Sequence, residues 1–481
     1  MKKNFSANLL FLLLLNLLVK PFYVFGIEVG VQNAVGPEEY GLYYAMFNFT
    51  FLFNVLLDMG INNFQKIKVA ENSESGMGNM AALIPLKIWL TILYFIVTIG
   101  AGLALGFEGR YWYFIGWLMV NHVLLIFLLL LRANLSGLHL FLRDSIVSVI
   151  DRTVLVLGIG YVLWFGSEQF KIETFVLFQT GSYVIGILFA LGFTPSEKRF
   201  PKLNFSRTAA LGMMRKTWPF ALLILLMTAY SKLDGVMLER LAADGLVEAG
   251  IYAQAYRIID AGNSFAFLYA GMLLPIFARM IDKNKPSELS VMINQAARFL
   301  IMPAGIAAIV VLNHSEWMMA ALYDYEVAGS SASFSWLMGS FLFVCVGYVF
   351  GTFMTANHQL RRLNWIAFIA VLINLVLNYL FIPEVGAEGA AIASFVSLAF
   401  MAMSQIASVF SKVKGLEWRW LIPTLSAWGF LVTVSFGLDQ IQVNSGLSFI
   451  IMCGLGVLSF TFLGLKKKDL KTLIPEEDAL A

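Results

Sequence analysis

The chain has 481 residues, of which 59% are hydrophobic and 13% charged, whereas soluble proteins average about 45 to 50% and about 25%. That composition excludes a string of soluble domains and sets the unit of size as the membrane crossing, about 20 apolar residues each. The formal charge of +3 gives no basis for a nucleic-acid partner, and the two cysteines, Cys345 and Cys453, lie in apolar runs with no disulfide or metal-ligand spacing.

The chain opens with Lys2 and Lys3 and then runs apolar, as a signal peptide would. No small-residue cleavage site closes the run, which continues through Pro21, Phe22, Tyr23 and Phe25 to Val31, so a first membrane helix is expected over 5–31. Further crossings are expected over 40–64, 77–105, 111–131, 146–165 and 172–193, and then over 217–241, 247–279, 289–312 and 332–356. Four more, over 363–382, 387–410, 420–436 and 446–465, bring the total to fourteen. Short connections such as Gly36-Pro37-Glu38-Glu39 and Pro383-Glu384-Val385-Gly386 punctuate them.

Charge distribution tests the count, because alternate connections of a polytopic protein face opposite sides and Lys and Arg crowd the cytoplasmic set. Twenty-five of the 33 basic residues fall on one side, including Lys66, Arg143, Arg279, Arg361, Lys412 and Lys466. The opposite connections hold Arg110, Lys171 and Arg240, and five basic residues, Lys20, Lys87, Arg152, Lys232 and Arg257, lie inside helices. Both termini are therefore expected in the cytoplasm.

A basic connection over 194–216 separates six crossings from eight. Across it, Glu39-Tyr40-Gly41-Leu42-Tyr43 and Glu248-Ala249-Gly250-Ile251-Tyr252 occupy equivalent places, 209 residues apart. The expected architecture is an all-α polytopic membrane protein of about fourteen transmembrane helices. It has a six-helix lobe (1–193), a cytoplasmic linker (194–216), a second six-helix lobe (217–410) and two extra helices with a basic tail (411–481). Helices 1 and 7 run in the same direction, so the lobes form a parallel repeat about an axis along the membrane normal.

Several segments resemble the multidrug/oligosaccharidyl-lipid/polysaccharide exporter (MOP) superfamily, and within it the polysaccharide flippases of the Wzx type. They are Gly36-Pro37-Glu38-Glu39-Tyr40-Gly41-Leu42-Tyr43, Leu57-Asp58-Met59-Gly60, Leu274-Pro275, Asn374-Leu375-Val376-Leu377-Asn378, Ile382-Pro383 and Gly386-Ala387-Glu388-Gly389-Ala390-Ala391-Ile392-Ala393. The small residues of the last segment let helix backbones approach closely where lipid gives no hydrophobic drive for association. The resemblance implies a two-lobed, V-shaped transporter that alternates between inward- and outward-open forms. It also implies a polyprenyl-diphosphate-linked oligosaccharide as substrate, moved across the bacterial inner membrane for O-antigen, lipopolysaccharide or other surface polysaccharide biosynthesis.

An anionic diphosphate needs cations facing a wet cavity. Lys20, Lys232 and Arg257, on helices 1, 7 and 8, are the candidates for a central cationic site, each roughly 15 to 22 Å along its helix. A bare cation at a helix centre costs at least about 2.5 to 3.5 kcal/mol, which makes such residues functional candidates. Competing structural roles are an Arg257–Asp260 pair three residues apart and snorkelling of Lys20. Arg152 is a candidate for the cytoplasmic mouth of the pathway, with snorkelling or pairing as its competing structural role. Glu28, Asp234 and Asp260 are the acids that could carry a coupling proton or sodium ion; Asp58, near the cytoplasmic end of its helix, suits a solvated or pairing role, and Lys87 also lies near the cytoplasmic end of its helix.

His122, His139, His314 and His358 are scattered and lack metal-ligand spacing. No Gly-rich Lys-Ser/Thr nucleotide loop occurs, so neither a metal nor a nucleotide cofactor is expected. The expected partners are the lipid-linked oligosaccharide, membrane lipids and other polysaccharide-assembly proteins, and the expected state is a monomer. Rival functions are an ion-coupled drug or metabolite exporter and a peptidoglycan-precursor flippase. A membrane glycan polymerase or ligase is a further rival, and it would need a large outer catalytic loop.

Overall fold

A computed structural model describes residues 19, 21–62, 65, 69, 73–166, 169–195, 207–283, 286–413 and 420–464. Lys20, residues 196–206 of the basic linker and the basic tail lie outside the described residues. Regular structure among the described residues is entirely helical. A π-helical turn (Tyr23–Glu28) leads into α1 (Val29–Leu52), followed by α2 (Val55–Asp58), α3 (Ser73–Ala104), α4 (Arg110–Gly137), α5 (Phe141–Phe165) and α6 (Ile172–Phe193). Then come α7 (Arg207–Leu241), α8 (Gly245–Asp282), α9 (Pro286–Leu322), α10 (Val327–Ala356), α11 (Leu360–Phe410), α12 (Leu421–Gln440) and α13 (Ser445–Ser459).

Among the described residues, eleven helical stretches are long and apolar enough to cross a membrane. The longest, α11, has 51 residues, about 76 Å of helix against a hydrocarbon core of roughly 30 Å. It breaks at Val385 (φ −132°, ψ 18°) and Gly386 (φ 53°, ψ −128°), between the two crossings expected there. Any side chain is strained at the Gly386 angles, and Pro383 withholds a backbone N–H just upstream. In the same way α1 breaks at Gly36 (φ 80°, ψ 170°), directly before Pro37. Leu157, Tyr161, Trp164 and Phe165 of α5 form an exposed apolar stripe, as expected of a chain whose solvent is lipid.

Several helices outrun their hydropathy. Where 289–312 was expected, α9 continues to Leu322, and α10 starts at Val327, so the long outer connection expected over 313–331 shrinks to residues 323–326. Hydropathy marks only the embedded part of a helix, whereas the backbone ladder continues through polar residues that have partners. His314, in that extension, is buried with Nε2 3.0 Å from Ser448 Oγ.

The chain divides into two compact units, Met1–Ala253 and Gln254–Ala481. In the first, α4, α5 and α6 pack around Leu128, Leu131, Leu135, Val147, Tyr183 and Ala190. There α1 lies against α4 and α7. Gly41 and Gly250, the central residues of the repeated pentapeptides, also meet in this unit. A Cβ on Gly41 would overlap the Leu246 carbonyl, and one on Gly250 would overlap the Pro37 carbonyl. Each glycine thus faces the carbonyl four residues before the other, which is the signature of a local two-fold axis through the repeat.

In the second unit α10 packs against both α9 and α11. The last two helices dock on α9 through Met302, Ile306, Val310, Ala427, Leu431 and Met452. Trp428 anchors this contact: its ring fills the space beside Gly305 and its indole N–H donates to the Met302 carbonyl at 3.0 Å. Trp428→Ala is expected to loosen α12 and α13 from α9 at a cost of about 3 to 5 kcal/mol. Thermal melting of the purified protein in detergent, with proteolysis of the C-terminal helices as a second readout, checks this.

Candidate functional site

The most concentrated polar grouping of the first unit begins at the π-helical turn. Such a turn closes i→i+5, so residues five apart stand over one another. Tyr23 Oη accordingly donates to Glu28 Oε1 at 3.0 Å, with both residues buried. Arg152 of α5 places its guanidinium 4.6 Å from the Tyr23 ring centroid, and its Nε lies 3.5 Å from Asp151 Oδ2. Because α5 starts at Phe141, five residues before the expected crossing, Arg152 is about 16 Å along the helix. That is near the middle of this 25-residue helix.

Further along α1, Thr50 gives its hydroxyl proton to a backbone carbonyl, that of Met46 at 2.9 Å. His122 Nε2 lies 3.0 Å from the same hydroxyl oxygen, within hydrogen-bond range. The imidazole is edged by the rings of Phe47 and Phe51, with centroids at 5.2 and 5.3 Å. Lys232 Nζ lies 5.6 Å from the centroid of the Phe51 ring. It is buried near the centre of the apolar stretch Ala221–Leu241 of α7. Asp234, two residues on and so about 200° round the helix, turns to a different partner: its Oδ2 accepts from Tyr252 Oη at 2.7 Å.

Lys87 and Asp58 form a pair. Lys87 Nζ donates to Asp58 Oδ1 at 2.9 Å and to the Leu57 carbonyl at 3.3 Å, and its side chain is 1% exposed against 25% for Asp58. Asp58 Oδ1 also accepts from the Asn62 N–H at 3.2 Å, across the left-handed turn at Met59 (φ 45°) and Gly60 (φ 81°). The motif Leu57-Asp58-Met59-Gly60 is thereby explained as a helix end with its own counter-ion.

Cations expected on the opposite side are held by acids. Arg110 clamps Glu39 with two bonds of 2.6 Å and reaches Glu173 at 2.5 Å, while Arg240 pairs with Glu239 at 2.9 Å. In the second unit Arg257 is buried 12 residues into α8, about 18 Å along. No ion pair joins it to Asp260 among the described residues; Asp260 is partly buried. An apolar cavity of about 430 Å³, lined by Ile259, Pro303, Val310, Phe341, Phe449 and Cys453 among others, lies in the same unit. Among the described residues no group of three His, Cys, Asp or Glu could hold a metal.

The family model for polysaccharide biosynthesis proteins matches residues 5–281, more than half of the chain. The chain belongs to that family. Solved structures share its fold. The lipid II flippase MurJ in an inward closed conformation aligns at TM-score 0.69 and 13% identity, covering 94% of this chain and 98% of that one. An inward-facing multidrug resistance MATE transporter of the MOP superfamily gives 0.66 and 15%, covering 82% and 94%. A MOP-superfamily transporter from Pyrococcus furiosus Vc1 (DSM3638) gives 0.60 and 15%, covering 85% and 95%. The fold is therefore that of MOP-superfamily transporters, and the chain is a multi-pass membrane protein. No curated protein sequence matches it.

Of the residues singled out from sequence in this family member, Glu28 and Arg152 come together around Tyr23, and Lys232 and Asp234 point apart on α7. Arg257 and Asp260 belong to the second unit. Tyr23, Thr50, Phe51 and His122 were not expected as site residues. Pro21, which loosens the helix ahead of the π-helical turn, and a histidine inside an apolar run are the signals that mark them.

Proposed function

We propose that this chain is a flippase for a polyprenyl-diphosphate-linked oligosaccharide. It works by alternating access in the bacterial inner membrane, with both termini cytoplasmic, driven by an ion gradient or the membrane potential. What supports the reading is two buried cations within long apolar helices, Lys232 and Arg257, in a polysaccharide biosynthesis family member with a MOP-superfamily fold. A buried ammonium or guanidinium is expensive in hydrocarbon and is retained where it meets an anion. A drug exporter for cationic substrates has no use for that polarity. The coverage supports the same choice, since the lipid II flippase matches 94% of the chain and the drug transporter 82%. The apolar cavity against α13 suits a polyprenyl tail. Glu28, Asp234 and Asp260 remain the candidates for a coupling proton or sodium ion, and monomeric action beside other polysaccharide-assembly proteins completes the reading.

The test is complementation of a bacterium lacking its own flippase, at matched membrane expression, with surface glycan as the readout. Wild type restores glycan, and Lys232→Ala and Arg257→Ala each reduce it at least tenfold, with Lys20→Ala tested alongside. Full glycan with all three variants would remove the cationic cavity from the mechanism.

A further inference from the structure

We propose that Arg152 binds a phosphate of the lipid-linked substrate, and that Glu28 is the resident anion which that phosphate displaces. The proposal rests on the flippase reading and adds a site to it. The first observation is where Arg152 points. Leu157, Tyr161 and Trp164 mark the outward stripe of α5, and Arg152, five residues before Leu157, lies about 140° away from it at 100° per residue. It shares that inner face with Leu155 and Ile159, both buried. The Arg152 side chain nevertheless remains 30% exposed. A guanidinium inside a membrane-spanning helix keeps its charge only against water or an anion.

The second observation is what Arg152 leaves unused. Tyr23 occupies one side of the guanidinium. Asp151 is the one carboxylate within ion-pair range among the described residues, at 3.5 Å from Nε, too long for a good hydrogen bond. Nη1 and Nη2 have no hydrogen-bond partner among the described residues. These terminal nitrogens form the fork that pairs bidentately with phosphate oxygens, which is the chemistry that distinguishes Arg from Lys.

The third observation is the counter-charge. Among the described residues, Glu28 and Tyr183 are the other ionisable groups within electrostatic reach of Arg152, besides Tyr23 and Asp151. Glu28 is buried, and its carboxylate is fixed by the Tyr23 hydroxyl through the π-helical turn. It neutralises Arg152 from a distance and leaves the fork open. A diphosphate brings more than one negative charge and several acceptor oxygens, so it outcompetes a single carboxylate for the guanidinium.

The experiment is equilibrium binding of farnesyl diphosphate to the purified full chain in detergent, with farnesol and inorganic pyrophosphate as competitors. Wild type is expected to prefer farnesyl diphosphate to either competitor. Arg152→Gln is expected to weaken binding at least tenfold and Glu28→Gln to tighten it at least twofold. Arg152→Lys keeps the charge and the stem, loses the fork, and is expected to weaken binding at least threefold; it decides the matter if Arg152→Gln does not fold. Wild-type affinity in Arg152→Gln or Arg152→Lys, with the diphosphate still preferred to farnesol, would overturn the assignment and leave the flippase reading standing. Wild type that bound farnesol as tightly as farnesyl diphosphate would overturn both. Equal affinity for inorganic pyrophosphate and farnesyl diphosphate would assign the site to a free anion and overturn the proposal.

Discussion

Gly41→Ala and Gly250→Ala are each expected to abolish surface-glycan restoration and to lower the melting temperature of the purified protein. Glycine to alanine inside a helix ordinarily stabilises by roughly 0.5 to 1 kcal/mol, because alanine loses less backbone freedom on folding. Here the new methyl would lie 2.9 Å from the Gly250 nitrogen in one variant and 2.7 Å from the Pro37 carbonyl carbon in the other, closer than real Cβ atoms come. Both obstacles are backbone, which cannot rotate aside, so the two helix starts must separate by on the order of 1 Å. Overpacking costs about 1 to 3 kcal/mol where side chains can yield, and a backbone obstacle belongs at the upper end. Gly181→Ala, on α6 with nothing within 4 Å of the added carbon, is the control and should be neutral or slightly stabilising. Because the contact is two-fold, the two variants should fall together, and a large effect in one with none in the other would contradict the shared axis.

That glycine pair illustrates what the sequence discloses and what it hides. The repeat of Glu39-Tyr40-Gly41 in Glu248-Ala249-Gly250 was visible as a match of position, and nothing in one dimension said that the two copies touch. The helix break at Val385 and Gly386 was legible because Pro383 and Gly386 impose backbone consequences that do not depend on tertiary context. For Asp58 the sequence left a solvated and a pairing role open, and only the structure names Lys87 as its partner. Helix lengths were not legible: α9 runs ten residues past its expected end, through Asn313 and His314, which find partners in Ser435 of α12 and Ser448 of α13. The start of α5 was hidden for the same reason, since Arg143 and Asp144 precede its apolar part. Tyr23 and Glu28 came together through a π-helical turn, a one-residue change of register that hydropathy does not record.

Asp58→Ala is expected to be far more damaging than Lys87→Met, although the two remove opposite ends of one ion pair. The asymmetry follows from burial. Lys87 is 1% exposed, so without Asp58 its ammonium keeps the Leu57 carbonyl at 3.3 Å and no counter-charge in a closed interior. Breaking a buried pair in this way costs about 3 to 5 kcal/mol. Asp58 is 25% exposed and also holds the Asn62 N–H, so when Lys87 becomes a methionine of similar length the carboxylate still has water and a backbone donor. That loss should be about 1 to 2 kcal/mol, close to the worth of a charge-assisted hydrogen bond. The double variant Asp58→Asn with Lys87→Met removes both charges while keeping shape and the turn contact, and should recover most of the stability lost in Asp58→Ala. Melting temperatures of wild type and the three variants, each in the same detergent, measure these differences. Equal losses from Asp58→Ala and Lys87→Met would mean that Lys87 reaches water after all and that the pair serves as a surface contact. If the double variant recovers stability without restoring surface glycan, the Lys87–Asp58 charge is needed for transport as well as for folding.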